Sequence, residues 1–177
     1  MYSGEFERIG KRLFAEHLVG GNFGNMSVKT GDGFFIKRTG TYLDIATEPV
    51  FVPLSGDAPK EASSEYRVHR EVYTKTNHTA IVHAHPPYAV AASLVMDVII
   101  PKDSEGEMLC PRIPVVTGAP GTQEIAGNVA RALITSKLVI ARGHGTFAAC
   151  ATLDEAYLYT SLAEHSCRVL ALKRNFL

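Results

Sequence analysis

What the sequence lacks narrows its function first. Its 177 residues contain no apolar run approaching the roughly 18–20 residues of a membrane span. Charge of one sign is missing too, since eighteen basic residues balance eighteen acidic ones. A nucleic-acid binder is expected to carry a basic footprint, so that class is excluded, while a local patch for a small anion is still allowed. Cysteine is scarce. Cys110, Cys150 and Cys167 are odd in number and form no C-x-x-C pair, which argues against a disulfide framework and fits a reducing, cytoplasmic compartment. The stretch MYSGEFERIGKRLFAEHL is charged throughout and has no apolar h-region, so no signal peptide is expected there. No repeat, low-complexity tract or linker divides the chain, and its length suits one domain over residues 1–177.

What is present is organised around Ile81-Val82-His83-Ala84-His85-Pro86-Pro87-Tyr88. Alternate residues of a strand share a face, so His83 and His85 aim their imidazoles at one point. Pro86 and Pro87 end the strand and leave a helix start behind them. Two imidazoles converging at a strand end suit a divalent transition metal such as zinc. A second stretch, Leu138 to Ala149, sets His144 between Gly143 and Gly145, with a short apolar strand on each side. Flanking glycines let the backbone turn sharply and present the imidazole into a cavity, which makes His144 the third candidate ligand. Glu65, at the start of a helical run, offers a carboxylate that can occupy and vacate the fourth position.

Three polar turns accompany these residues: Gly20 to Ser27, Arg38-Thr39-Gly40-Thr41, and Ser63-Ser64. Glycine lets backbone N–H groups approach an anion, asparagine adds donors, and a helix start presents free N–H groups beside serine hydroxyls. A metal next to a phosphate cradle points to a phosphorylated sugar whose carbonyl the metal polarises. Periodicity predicts a first helix over Glu5 to Leu18, ended by Gly20-Gly21 with His17 in its last turn, then a hairpin from Met26 to Lys37. A helical turn at Tyr42 to Ala46, a strand at Pro49 to Pro53 and a helix capped by Ser63 or Ser64 follow. Beyond the strand Ala80 to His85, the pattern predicts a helix from Pro87 to Met96 and a charged loop over Lys102 to Glu107. A strand at Ile113 to Val116, a helix from Thr122 through Leu133, and a long helix from Leu153 to Leu170 complete it. His69 shares a helix face with Glu65, which makes it a formal ligand candidate, and it is expected in a supporting or surface role. Helices on both sides of His83 and His85 exclude an all-β cupin. The chain is also too short for a metal-dependent amidohydrolase barrel, typically about 250 residues.

Gly24-Asn25-Met26-Ser27, Thr39-Gly40, Ser63-Ser64-Glu65, His83-Ala84-His85 and His144-Gly145 resemble, in order and spacing, the class II aldolase/adducin family over about residues 6–170. The resemblance implies an α/β fold, a three-layer α/β/α sandwich on a central, mainly antiparallel sheet. It also implies a homotetramer with active sites at subunit interfaces. Under it, His83, His85 and His144 hold one zinc per subunit (or cobalt or manganese), and Glu65 is both a metal ligand and the catalytic acid/base. Gly24, Asn25, Thr39, Gly40, Ser63 and Ser64 bind the phosphate, and Asn22 falls where relatives often carry threonine. The implied reaction is reversible cleavage of a ketose 1-phosphate, L-fuculose 1-phosphate or similar, to dihydroxyacetone phosphate and an aldehyde. The family also contains a methylthioribulose-1-phosphate dehydratase and a sugar-phosphate epimerase, the latter with aspartate at the Glu65 position. Its adducin-head structural modules lack the metal histidines that this chain has. After Ile100-Pro101, a family aldolase places a tyrosine that acts in the neighbouring subunit's site. Here the residues are Lys102-Asp103-Ser104-Glu105, which leaves Glu105 as a candidate proton donor.

Overall fold

The computed structural model describes residues 2–173 and Phe176. In chain order the elements are α1 (Ser3–Ala15), β1 (Asn25–Thr30), β2 (Gly33–Ile36), β3 (Val50–Pro53), α2 (Tyr66–Lys75), β4 (Ala80–Ala84) and α3 (Pro87–Ser93). They continue with β5 (Val98–Ile99), α4 (Ser104–Leu109), β6 (Ile113–Val116), α5 (Gln123–Ala132), β7 (Leu138–Ala141), β8 (Gly145–Cys150) and α6 (Leu153–Lys173). The strands form one eight-stranded sheet in the order β3-β2-β1-β4-β8-β7-β6-β5. Every pairing is antiparallel except β6–β7, whose connection through α5 makes one crossover unit. Helices cover both faces of this sheet, the expected α/β/α sandwich.

The central strands β4, β7 and β8 are buried along their whole length. Alternation then decides which core each residue joins. Ala80, Val82, Leu138, Ile140, Ala148 and Cys150 pack with Ile9 and Leu13 of α1 and Ala156 and Ala163 of α6. Ile81, Val139, Phe147 and Ala149 face the other way, onto Val68 and Val72 of α2 and Ile125, Val129 and Leu133 of α5. His83 has the parity of Ile81, so its imidazole emerges on the α2/α5 face. Arg8 reaches Asp154 at 2.6 Å and ties α1 to the first turn of α6.

Four expectations are corrected here. The first helix stops at Ala15, before the glycine pair. Leu18 N–H donates to Leu13 O at 2.9 Å and His17 N–H to Phe14 O at 3.0 Å, the Schellman pattern of a helix end. The residue that turns the chain is His17, at φ 58, the one non-glycine residue with positive φ among those described. Tyr42 to Ala46 forms a turn rather than a helical one. The charged segment expected to be a loop contains α4, because the Asp103 side chain accepts from Gly106 N–H at 2.8 Å and caps it. Neither Ser63 nor Ser64 caps α2 with its side chain. Glu65 occupies the cap position, and Ser63 contributes its backbone, its carbonyl accepting from Tyr66 N–H at 3.0 Å.

His17 is exposed, so its side chain supports no core packing, while an L-residue in the left-handed region is strained by about 1–2 kcal/mol. We expect His17→Gly to raise unfolding stability by roughly 0.5–1 kcal/mol after glycine's entropy is discounted. A thermal melt should show this as a gain of about 1–4 °C. An unchanged or lower melting temperature would remove the strain argument.

Candidate metal centre and active site

Strand register assembles the site before any side chain is considered. On one side of β4, His83 pairs with Asn25, the first residue of β1. On the other, His83 pairs with Phe147 and Ala84 with Thr146 at the start of β8. The same sheet edge therefore receives the Gly24-Asn25 turn, the end of β4 with His85, and the β7–β8 connection carrying His144. In that connection Gly143 turns the chain at φ 65. At Gly145 a Cβ would lie 2.2 Å from Ala84 O and 2.8 Å from a ring carbon of His85. Only glycine lets the hairpin approach β4 this closely.

His83, His85 and His144 offer ring nitrogens within 4.8 Å of one another. His83 Nδ1 is 2.8 Å from the Thr146 carbonyl, which can only accept, so Nδ1 carries the proton and Nε2 is bare. His85 Nε2 sits 3.0 Å from that nitrogen, so both rings turn the same atom inward. Phe147 stacks on His83 at 4.0 Å and Phe23 on His85 at 5.8 Å, which fixes the ring planes. Burial, then the neighbouring His85 and His144, hold His83 well below the usual imidazole range. Burial and His144 push His85 down to about 4, and burial lowers His144 as well. All three rings are thus neutral at neutral pH, the state in which imidazole ligates a metal.

Around them are buried polar atoms without protein partners: Asn25 Oδ1, Glu65 Oε2, His69 Nε2 and His144 Nδ1. Buried polar groups are almost always paired, so a cluster of unpaired ones marks a place where a ligand completes the structure. Three neutral imidazoles with a nearby carboxylate form a donor set that fits zinc or a similar divalent ion. Burial raises the Glu65 carboxyl above its ordinary value, partly offset by the Gly121 backbone N–H.

Asn22, Gly24, Asn25, Thr39, Gly40, Ser63, Ser64, Glu65, His83, His85 and His144 all line one cavity of about 220 Å³. The sequence-named turns are therefore brought together with the histidines. Glu105 is not among them. It lies on the surface beside Asp103 and His165, where the Ser104 hydroxyl holds its carboxylate below the usual range. A larger cleft of about 460 Å³, lined by residues 109–112 and 135–137, gathers no comparable ligand set.

Two residues lining the cavity escaped the sequence reading. Lys37 ends the hairpin, and its sequence context assigns it no role at the site. It is buried, its Nζ donates to the Asn22 carbonyl at 2.7 Å, and burial pushes it down to about 8. Its place directly before the Arg38-Thr39-Gly40 turn was the available signal. Phe23, half-hidden between the glycines in the sequence, stands 61% exposed at the mouth and is the cavity's one large apolar side chain.

Comparison with known proteins agrees with this arrangement. The model of the Class II Aldolase and Adducin N-terminal domain matches residues 5–171. An L-fuculose phosphate aldolase of Methanococcus maripaludis is 29% identical over 176 residues, 97% of each chain. That of Escherichia coli K12 is 32% identical over 146 residues, 77% of this chain and 66% of its own. The crystal structure of L-fuculose-1-phosphate aldolase from Thermus thermophilus superposes with a TM-score of 0.94 at 37% identity, covering 98% of this chain and 94% of that one. With its family model matched nearly end to end and three histidines converging on one point, the chain belongs to the class II aldolase and adducin family, close to the L-fuculose-phosphate aldolases.

Proposed function

We propose that the chain is a zinc-dependent aldolase that reversibly cleaves a ketose 1-phosphate, L-fuculose 1-phosphate or a close analogue, to dihydroxyacetone phosphate and an aldehyde. The observation that supports this reading is the meeting, in one cavity, of three neutral imidazoles, a buried carboxylate and a ring of N–H and hydroxyl donors. The names of its relatives in Methanococcus, Escherichia and Thermus support it as well.

His83, His85 and His144 would hold the ion, with Glu65 as a displaceable fourth ligand; cobalt or manganese would suit the same donors. When bound, the metal supplies a Lewis acid that polarises the ketose carbonyl. The chain's own residues do the rest. Gly24, Asn25, Thr39, Gly40, Ser63 and Ser64 hold the phosphate, and the Lys37 ammonium sets a positive charge at its edge. Asn22 takes part through its carbonyl, which anchors Lys37. Fixing the phosphate places the reacting carbons beside Glu65 and removes much of the entropic cost of their alignment. In the synthetic direction the Glu65 carboxylate takes the proton from the carbon alpha to the carbonyl of dihydroxyacetone phosphate. In cleavage it returns that proton to the same carbon once the C–C bond has broken. Its raised pKa makes it a stronger base than an exposed glutamate, closer to the working pH.

Glu105, if it protonates the aldehyde oxygen, would act on a neighbouring chain's site, in keeping with a homotetramer with interfacial sites. We read residues 1–177 as one domain working in the cytoplasm. Among the described residues no helix is long and apolar enough to cross a membrane.

Metal analysis of the purified protein should give about one zinc per chain, and His83→Ala should empty the site. Full occupancy in that variant would sink the ligand assignment. A panel of fuculose-, rhamnulose-, 5-deoxyribulose- and methylthioribulose-1-phosphate tests the reaction itself. Dihydroxyacetone phosphate should be released from at least one, with Glu65→Gln folded but slowed about 100-fold or more. Water loss without cleavage would replace the aldolase by the family's dehydratase. Lys37 gives the phosphate site a pH dependence. A lysine titrating near 8 is charged below that pH, so the KM for the sugar phosphate should rise as pH passes through about 8. In Lys37→Met the KM should be high at every pH, and a surviving inflection near 8 would assign it to another group.

A further inference from the structure

Behind Glu65 lies a buried polar chain that neither the phosphate cradle nor the metal ligands use. His69 follows Glu65 by one helical turn, lies fully buried, and donates its backbone N–H to the Glu65 carbonyl at 3.4 Å. Side chains four apart share a helix face, so both point inward from α2. His69 Nδ1 is 2.6 Å from Ser27 Oγ, and Ser27 Oγ is 2.6 Å from Tyr73 Oη. The Tyr73 hydroxyl donates to the Ser27 carbonyl at 3.0 Å. Phe34 stacks on the His69 ring and Phe147 meets it edge-on, each at 6.4 Å between centroids. The ring is therefore held on three sides. Its remaining polar atom, Nε2, is buried without a partner, and so is Glu65 Oε2.

We propose that His69 is a positioning residue for Glu65, its Nε2–H donating to the carboxylate Oε2 in the assembled site. The hydrogen-bond chain supplies the tautomer this needs with the Tyr73 O–H forked between the Ser27 hydroxyl at 2.6 Å and the Ser27 carbonyl at 3.0 Å, so that Tyr73 is the donor in both contacts. The one Ser27 proton is then free to go to His69 Nδ1, 2.6 Å away. A ring this deeply buried is neutral and carries one N–H, which is left on Nε2. An N–H facing one carboxylate oxygen orients the other toward the metal and the substrate carbon. The inference rests on the reading of Glu65 as the base, but its structural half can be measured without any turnover.

Histidine side-chain 15N spectra of the zinc-loaded protein should place the His69 proton on Nε2, and that resonance should move in Glu65→Ala. A proton on Nδ1, or a resonance indifferent to Glu65, would overturn the proposal. Kinetics separate positioning from simple core structure. A glutamine side chain carries its amide near the Nε2 position of the ring it replaces, and an asparagine near the Nδ1 position. His69→Gln therefore keeps the contact to Glu65, whereas His69→Asn keeps only the contact to Ser27. His69→Gln should stay within about threefold of wild-type kcat, while His69→Asn loses about 10- to 100-fold with KM and zinc content unchanged. The reverse order would mean that the Ser27 contact alone matters and would refute the role. Should both variants melt early, the spectra of the unaltered chain still decide. If wild type cleaves no ketose phosphate, the aldolase reading falls while the spectral result on the His69–Glu65 contact stands.

Discussion

Everything at the site depends on the backbone ladder that holds β4 between β1 and β8. Its hydrogen bonds set His83 opposite Asn25 on one side and opposite Phe147 on the other. Side chains alternate along a strand, so a slip of one residue would turn His83 into the α1/α6 core and Val82 toward the cavity. Such a slip is opposed by every buried pair of the ladder. Val82 belongs among Ile9, Leu13 and Ile140, and Ile81 among Val68, Ile125 and Val139. The apolar core thereby sets the position of the polar cluster.

That cluster runs against folding. Three unpaired buried polar atoms lining one cavity, on Asn25, Glu65 and His144, each cost about 1–3 kcal/mol, and burial holds three imidazoles neutral, with repulsion from neighbouring rings added at His83 and His85. A chain keeps such an arrangement where binding repays it, which is why unpaired atoms point to function more directly than paired ones. The surrounding frame is built to tolerate it. Two carboxyl oxygen contacts from Glu164, at 2.9 and 3.0 Å, satisfy the first N–H groups of α3 just after His85-Pro86. The Ser93 hydroxyl accepts from Gly143 N–H at 2.9 Å, and Arg142 reaches the Ser93 carbonyl at 2.6 Å, so the turn bearing His144 is pinned to the other end of the same helix. α3 thus braces two of the three histidine segments.

Within the family, fold alone does not separate aldolase from structural module, and the separation comes from side chains. His83, His85 and His144 form a group that could hold a metal ion, and Glu65 lines the same cavity. Lys37 and Phe23 shape the same cavity, one with a buried amine and the other with an apolar surface at the mouth.

The sequence alone carried most of the local elements and the residue types of the candidate site. His-x-His before a double proline, a histidine between glycines, and three glycine- and serine-bearing turns each carry their meaning in neighbouring residues. Periodicities of two and of three to four likewise placed the strands and most helices. Where local signals misled, a competing local device was present: a Schellman end at His17 ahead of Gly20-Gly21, and an Asp103 cap inside a charged stretch. Only tertiary structure decided which segments meet. That Lys37 is buried against Asn22, that His69 hangs between Ser27 and Phe147, and that Glu105 lies off the cavity all follow from strand order and register. Those are properties of pairings between residues far apart in the chain, and no local pattern encodes them.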